Sequence, residues 1–251
     1  MARISWLAFP AALLLIFGAC GQSDVEEPEV SGETHKQGEP SQVKQEVLAE
    51  VWEAVVQKSG AEPKLPRDLE TGDRYLAAKV AADADGYEVA YYLTDQPVPL
   101  NDPELEKEAP YLIAAAIVHD SAKGARAGVS YEPDMKTGQP ADLGHGITGY
   151  MEAGDGNLRR LVWHEGNWSF SVHRTDGEGT GEEMKAQAKE MAEKLEKQML
   201  PPPQEVGAGT FDISGTGASA NSIQWQAETI VYSVHFGKPL ELIDIVAKMN
   251  E

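Results

Sequence analysis

Two stretches of this chain lie over one another without a gap. Trp163-His164-Glu165-Gly166-Asn167-Trp168-Ser169-Phe170-Ser171-Val172-His173 matches Trp225-Gln226-Ala227-Glu228-Thr229-Ile230-Val231-Tyr232-Ser233-Val234-His235, with Trp, an aromatic and Ser-Val-His recurring in one register. Large apolar residues alternate with polar ones on both sides of a short polar break, which is the signature of a half-buried antiparallel hairpin. Two-residue turns at Glu165-Gly166 and Ala227-Glu228 would pair Trp163 with Trp168 and Trp225 with Ile230. One face then carries Leu161, Trp163, Trp168, Phe170 and Val172, and in the second hairpin Ile223, Trp225, Ile230, Tyr232 and Val234. A slip of one residue would throw these side chains to opposite faces, so the pattern constrains the register strongly. A fainter third copy runs from Tyr87 to Asp95.

Helical patterns follow both hairpins. Thr180-Gly181-Glu182-Glu183 reads as a capping box, Met184, Ala188, Met191, Leu195 and Met199 form a stripe, and Pro201-Pro202-Pro203 is the expected stop. Glu190 with Lys194 and Glu193 with Lys197 are spaced as exposed helical pairs. The last helix starts near Pro239 and buries Leu240, Ile243, Val246 and Ala247. Nearer the start, Ser41 is the expected cap of a helix whose stripe is Val43, Val47, Leu48, Val51, Trp52, Val55 and Val56. Leu76 to Ala82 and Tyr87 to Thr94 read as strands joined around Asp83-Ala84-Asp85-Gly86, and Asp102-Pro103-Glu104 opens a short helix. Further strands are expected at Tyr111 to Val118 and near Gly146 to Glu152, after a loop containing Gly138-Gln139-Pro140. The expected fold is α+β: an antiparallel sheet built from repeated hairpin-helix units, with helices packed on one face.

The first twenty residues carry an address. Arg3 precedes an apolar run from Ile4 to Phe17, then small Gly18 and Ala19, then Cys20. The run contains Pro10 and is too short to cross a bilayer core, which takes about 20 apolar residues, so it reads as a cleaved signal peptide. Phe17-Gly18-Ala19-Cys20 resembles the lipobox of bacterial lipoproteins, although Phe17 stands where that motif usually has Leu. The resemblance implies lipid on Cys20 and anchoring at the extracytoplasmic face of the cell membrane. Two acyl chains, each methylene worth about 0.8 kcal/mol when buried, suffice for stable anchoring. Cys20 is the single cysteine, so no intramolecular disulfide forms. From Gly21 to Pro40 the chain is rich in Glu, Gly, Pro and Ser and too polar to fold, a tether with a span of about 25 Å. The organisation is then 1-19 signal peptide, 20-41 lipidated cysteine and acidic tether, and 42-251 folded domain. The Trp-containing hairpin followed by a helix with an Ile-Val-Ala run also resembles uncharacterised cell-surface lipoproteins of Bacillus-type Gram-positive bacteria, a likeness that implies a compartment and no reaction.

The formal charge is -20. A chain this acidic is repelled by phosphate backbones, which argues against nucleic acid as a partner. No catalytic signature stands out. His119, His145, His164, His173 and His235 are scattered, and in the register above His164 and His173 lie about six residues, or roughly 20 Å, apart along the strand, too far to share a metal. Asp83 and Asp85 before Gly86 lack the remaining ligands of a calcium loop. Gly215-Thr216-Gly217-Ala218-Ser219-Ala220 runs into a strand pattern, so it forms no helical anion cradle. Ser171 with His173, and Ser233 with His235, sit two apart on strands at about 7 Å, a spacing too long for a nucleophile and its base. Glu104 and Glu106 read as a solvated face. No catalytic, cofactor or metal residue is therefore assigned, and Cys20 is the one functional side chain named. The reading is a membrane-anchored, non-catalytic binding module for a protein or small-molecule partner. An envelope enzyme with a site assembled from distant loops, and a carrier of a small apolar ligand, stay open as alternatives.

Overall fold

A computed structural model describes residues 38–134, 136–153, 158–175, 180–214 and 217–249. The expected signal peptide, Cys20 and most of the tether lie outside the described residues.

The first helix, α1 (Pro40–Lys58), begins two residues earlier than a Ser41 cap would place it. Glu39 is the capping residue and Pro40 takes the first turn, where its fixed φ is already helical and its missing N–H is no loss. Val43, Val47, Leu48, Val51 and Val55 are buried as the stripe requires, whereas Trp52 and Val56 at its edge stay exposed. The chain continues through β1 (Tyr75–Asp83), β2 (Gly86–Thr94), β3 (Leu112–Val118), α2 (Ala122–Gly128), β4 (Gln139–Gly144), β5 (Ile147–Ala153), β6 (Leu158–Glu165) and β7 (Trp168–Thr175). Then come α3 (Thr180–Leu195), β8 (Gly207–Asp212), β9 (Asn221–Ala227), β10 (Ile230–Phe236) and α4 (Pro239–Lys248). The described strands form one ten-stranded sheet in the order β1-β2-β3-β10-β9-β8-β7-β6-β5-β4. Neighbours are antiparallel except β7 and β8, which run parallel because α3 carries the chain back between them. The fold is thus mixed α+β with a mostly antiparallel sheet.

The hairpin turns sit one residue later than expected. Glu165 pairs with Trp168 and Trp163 with Phe170, leaving Gly166-Asn167 as the turn; Ala227 pairs with Ile230 and Trp225 with Tyr232, leaving Glu228-Thr229. In each turn the first residue has a positive φ, 57° at Gly166 and 53° at Glu228, which is the geometry a glycine at that first position signals. Moving a turn by one residue moves the pairing by two, so every side chain keeps its face. Leu161, Trp163, Trp168, Phe170, Val172, Ile223, Trp225, Tyr232 and Val234 are all buried together, with Trp163 and Trp225 among the largest fully buried side chains.

Apolar residues of α1, α3 and α4 pack on that inner face. The expectation that all helices share one face fails at α2. Its Ala125, with Val129 just after it, packs against Val206, Ala208 and Val231, which project from the outer face. The short helix Pro103–Lys107, capped by the Asp102 side chain, likewise sets Leu105 against the outward Ala77 and Tyr92. Helix α3 ends at Leu195, well before the triple proline, and leaves Met199 exposed. Lys197 meets Glu193 at 2.8 Å as expected, but Lys194 reaches across to Asp244 of α4 at 2.8 Å instead of meeting Glu190.

Candidate functional site

The outer face of β5, β6 and β7 presents Tyr150 and Glu152, then Arg160, Val162 and His164, then Ser169, Ser171 and His173, by the same alternation that sends the tryptophans inward. The segment that leaves α2 crosses this face as a strap. Ser130 N–H donates to Gln224 Oε1 at 3.0 Å on β9, and Glu132 N–H donates to Ser169 Oγ at 3.0 Å on β7. The His164 ring then fastens the strap from β6, since its Nε2 lies 2.7 Å from the Glu132 carbonyl. A carbonyl only accepts, so Nε2 carries the proton, and in the neutral ring Nδ1 is left as an acceptor. That Nδ1 faces Asp134 Oδ1 at 3.8 Å.

Arg160 is the centre of the arrangement. Its Nη1 lies 2.6 Å from Glu132 Oε2 on the strap, and its Nη2 lies 2.5 Å from Glu152 Oε2 on β5. The Thr137 hydroxyl donates to the other Glu152 oxygen. Thr137 and then Arg160 hold the Glu152 carboxyl below the usual carboxylate range. Beside the strap opens a cavity of about 300 Å³ whose walls include Tyr131, Asp134, Tyr150, Glu152, Arg160 and His164. The rings of Tyr131 and His164 meet edge to face at 5.9 Å. A smaller hollow of about 150 Å³ lies elsewhere, between Asp68, Tyr111 and α4.

Two expectations about the histidines need correction. Arg160 is the residue opposite His173, so His164 and His173 stand four residues apart along β6, about 13 Å, and not six. That is still too far for one ion. Ser171 and His173, expected to be out of reach, are hydrogen bonded: Ser171 Oγ lies 2.9 Å from His173 Nε2. The two Cα atoms keep the strand spacing, but side chains on a strand lean along it and close the gap. Burial pushes His173 below the ordinary imidazole value, with Arg160 adding to the effect and Glu132 and Asp212 opposing it. A neutral imidazole next to a hydroxyl is a base beside a nucleophile in outline. However, Ser171 is only 2% exposed, and β7 is paired on both sides, so its backbone N–H groups are held in the sheet instead of forming an oxyanion hole.

The remaining described histidines do not join this site. His145 occupies the β4–β5 turn with φ 53°, His119 packs beside Gly128, and His235 is half-buried on β10, where desolvation holds it below the ordinary value. Among the described residues no group of three or more His, Cys, Asp or Glu is placed to hold a metal ion. The guanidinium of Arg160 already occupies the space between Glu132 and Glu152. Asp83 serves a turn, its Oδ1 accepting from Asp85 N–H at 2.9 Å, and Ala218–Ala220 is a short turn leading into β9. No helix among the described residues is long and apolar enough to cross a membrane. Sequence reasoning singled out His164 and His173 but not Tyr131, Glu132, Glu152 or Arg160. The outward alternation of Arg160, Val162 and His164 was the readable signal. No known protein family, curated protein or solved structure matches this chain.

Proposed function

We infer that this chain is an extracytoplasmic lipoprotein, held at the cell membrane by lipid on Cys20, whose folded part is a non-catalytic binding module with its ligand site in the cavity beside the strap. The observation that carries the binding reading is the Arg160 clamp: charged side chains from the strap, β5 and β6 converge and are satisfied by one another, leaving a formed cavity next to them. Such a site holds a shape without presenting an activated nucleophile. The carrier alternative needs an apolar cavity between sheet and helices, where Trp163, Trp225, Tyr91, Tyr232 and Phe170 instead fill the space as fully buried side chains. The ligand is therefore placed on the outer face. In the same reading β6–β7–α3 and β9–β10–α4 are two copies of one hairpin-helix unit, supported by the matched burial of Trp163 and Trp225.

The anchor is supported by the motif Phe17-Gly18-Ala19-Cys20 and by the polar tether after it. Intact mass measurement on protein extracted from membranes tests it: the expected species starts at Cys20 and carries acyl mass. Cys20→Ser should leave uncut precursor or release the protein, and an unmodified parent that stays in the membrane refutes the anchor. The Ser171–His173 hydrogen bond favours a second reading, an envelope hydrolase. Labelling of Ser171 by a fluorophosphonate, lost in Ser171→Ala, would decide for that reading; an unlabelled protein decides for the binding module.

A further inference from the structure

Resting on the reading of the strap cavity as a binding site, we propose that it takes a small organic cation, an alkyl- or arylammonium ion whose N–H donors meet the Asp134 carboxylate beside the His164 ring. The first ground is an acceptor beside a ring. His164 is fixed to the strap through Nε2, and its Nδ1 stands 3.8 Å from Asp134 Oδ1. That separation is longer than a hydrogen bond, so the carboxylate keeps an acceptor oxygen turned toward the ring edge for an incoming donor.

The second ground is charge. The cavity wall carries the carboxylates of Glu132, Asp134 and Glu152 against the cations of Lys136 and Arg160. Arg160 already faces two carboxylates, with one Nη on Glu132 and the other on Glu152, so its charge is more than balanced before any ligand arrives and an anion gains little from it. Lys136 stands 3.7 Å from Asp134 Oδ2 with both groups well exposed, a pair too weak to hold Asp134 against a competing cation. The excess of negative charge over the whole chain draws cations toward the surface. A bare divalent ion is poorly served, because among the described residues no metal-holding cluster forms.

The third ground is the apolar wall. Tyr131 and Tyr150 flank the polar groups, and aromatic faces attract ammonium ions while packing against their carbon. A volume of about 300 Å³ stands at the small end of ligand pockets and suits an amine with a short or single-ring body.

Three probes of one shape test the proposal on the full mature chain in detergent at neutral pH: benzylammonium, benzyl alcohol and benzoate, with the Tyr131 and His164 ring resonances as the readout. Benzylammonium should shift both rings saturably and bind at least about tenfold more tightly than benzoate. Asp134→Asn, a change at a well-exposed side chain, should abolish that preference while benzyl alcohol binding is unchanged. Benzoate binding as tightly as benzylammonium, or a preference that survives Asp134→Asn, overturns the cation assignment and leaves the cavity standing as a binding site. If none of the three probes moves either ring, the cavity itself is refuted as a site and the assignment falls with it.

Discussion

Gly209→Ala is a small change with a large expected effect, because β8 runs under a stack of rings. A Cβ at Gly209 would stand 2.6 Å from Phe170 Cδ1, 3.0 Å from Phe170 Cε1 and 3.1 Å from Phe211 Cε2. Carbon contacts relax at about 3.5–4.0 Å, so the Phe170 ring must retreat by roughly 1 Å. It has nowhere to go. Phe170 is stacked on Trp163 at 5.2 Å and on Trp168 at 5.7 Å, and Trp168 lies in turn over Gly207. Overpacking against a ring that cannot retreat falls in the upper part of the usual range, about 2–3 kcal/mol, offset by about 0.5–1 kcal/mol from the lower backbone entropy of alanine, for a net loss of about 1–2.5 kcal/mol. Denaturant unfolding should show a lower midpoint at constant slope, with Tm lower by about 2–8 °C. Phe170→Leu in the same chain should recover at least about 0.5 kcal/mol relative to the sum of the single changes. Gly181→Ala, where the nearest side chain is 4.0 Å away in the first turn of α3, is the control and should stabilise by about 0.5–1 kcal/mol. A neutral Gly209→Ala, or a cost that simply adds to that of Phe170→Leu, refutes the close packing of β8 against β7.

Acidification should weaken the fold through two partly buried histidines. His173 and His235 are both held below the ordinary imidazole value, chiefly by burial, so below about pH 6.5 the unfolded chain binds protons that the folded chain refuses, and stability falls as pH falls. Thermal melts between about pH 7 and pH 5.5 should show this decline, flattened in a His173→Gln, His235→Gln double variant; an unchanged slope contradicts it. Glu228→Gly should stabilise the β9–β10 hairpin by about 0.5–1 kcal/mol, since Glu228 is exposed and holds φ 53° at the place where the other hairpin has Gly166. Urea midpoints measure it, and a lower midpoint would show that Glu228 is not strained there.

The inner face of the sheet was legible because its signal is a parity. Trp163, Phe170, Trp225 and Tyr232 keep their side of the sheet under any even shift of pairing, so misplacing both turns by one residue left the core assignment intact. The turns are less legible, because a glycine such as Gly166 fits either turn position and here takes the first. Strand β8 escaped notice because Gly207 and Gly209 erase the alternation of large side chains; Trp168 and Phe170 of β7 fill the space over those glycines instead. Strand β4 has the sequence of a loop because of Pro140, which a sheet tolerates at its edge, where β4 lies. The site was the least legible part. Arg160 meets Glu132 only because the strap crosses from β9 to β6, and nothing local to either residue encodes that crossing. Spacing along a strand also misled at Ser171 and His173, where side-chain lean decides the contact.

The claim that most needs testing is that the strap cavity binds a molecule and does not transform it. The direct measurement follows the ring resonances of Tyr131 and His164 while the small-molecule fraction of a cell envelope is added to the full mature chain, and then analyses the recovered fraction by mass spectrometry. Saturable shifts at both rings, abolished in Arg160→Gln where the clamp on Glu132 and Glu152 is lost, with the bound compound recovered unchanged, are the predicted result. Rings that stay silent, or a compound that is consumed as they shift, would contradict it.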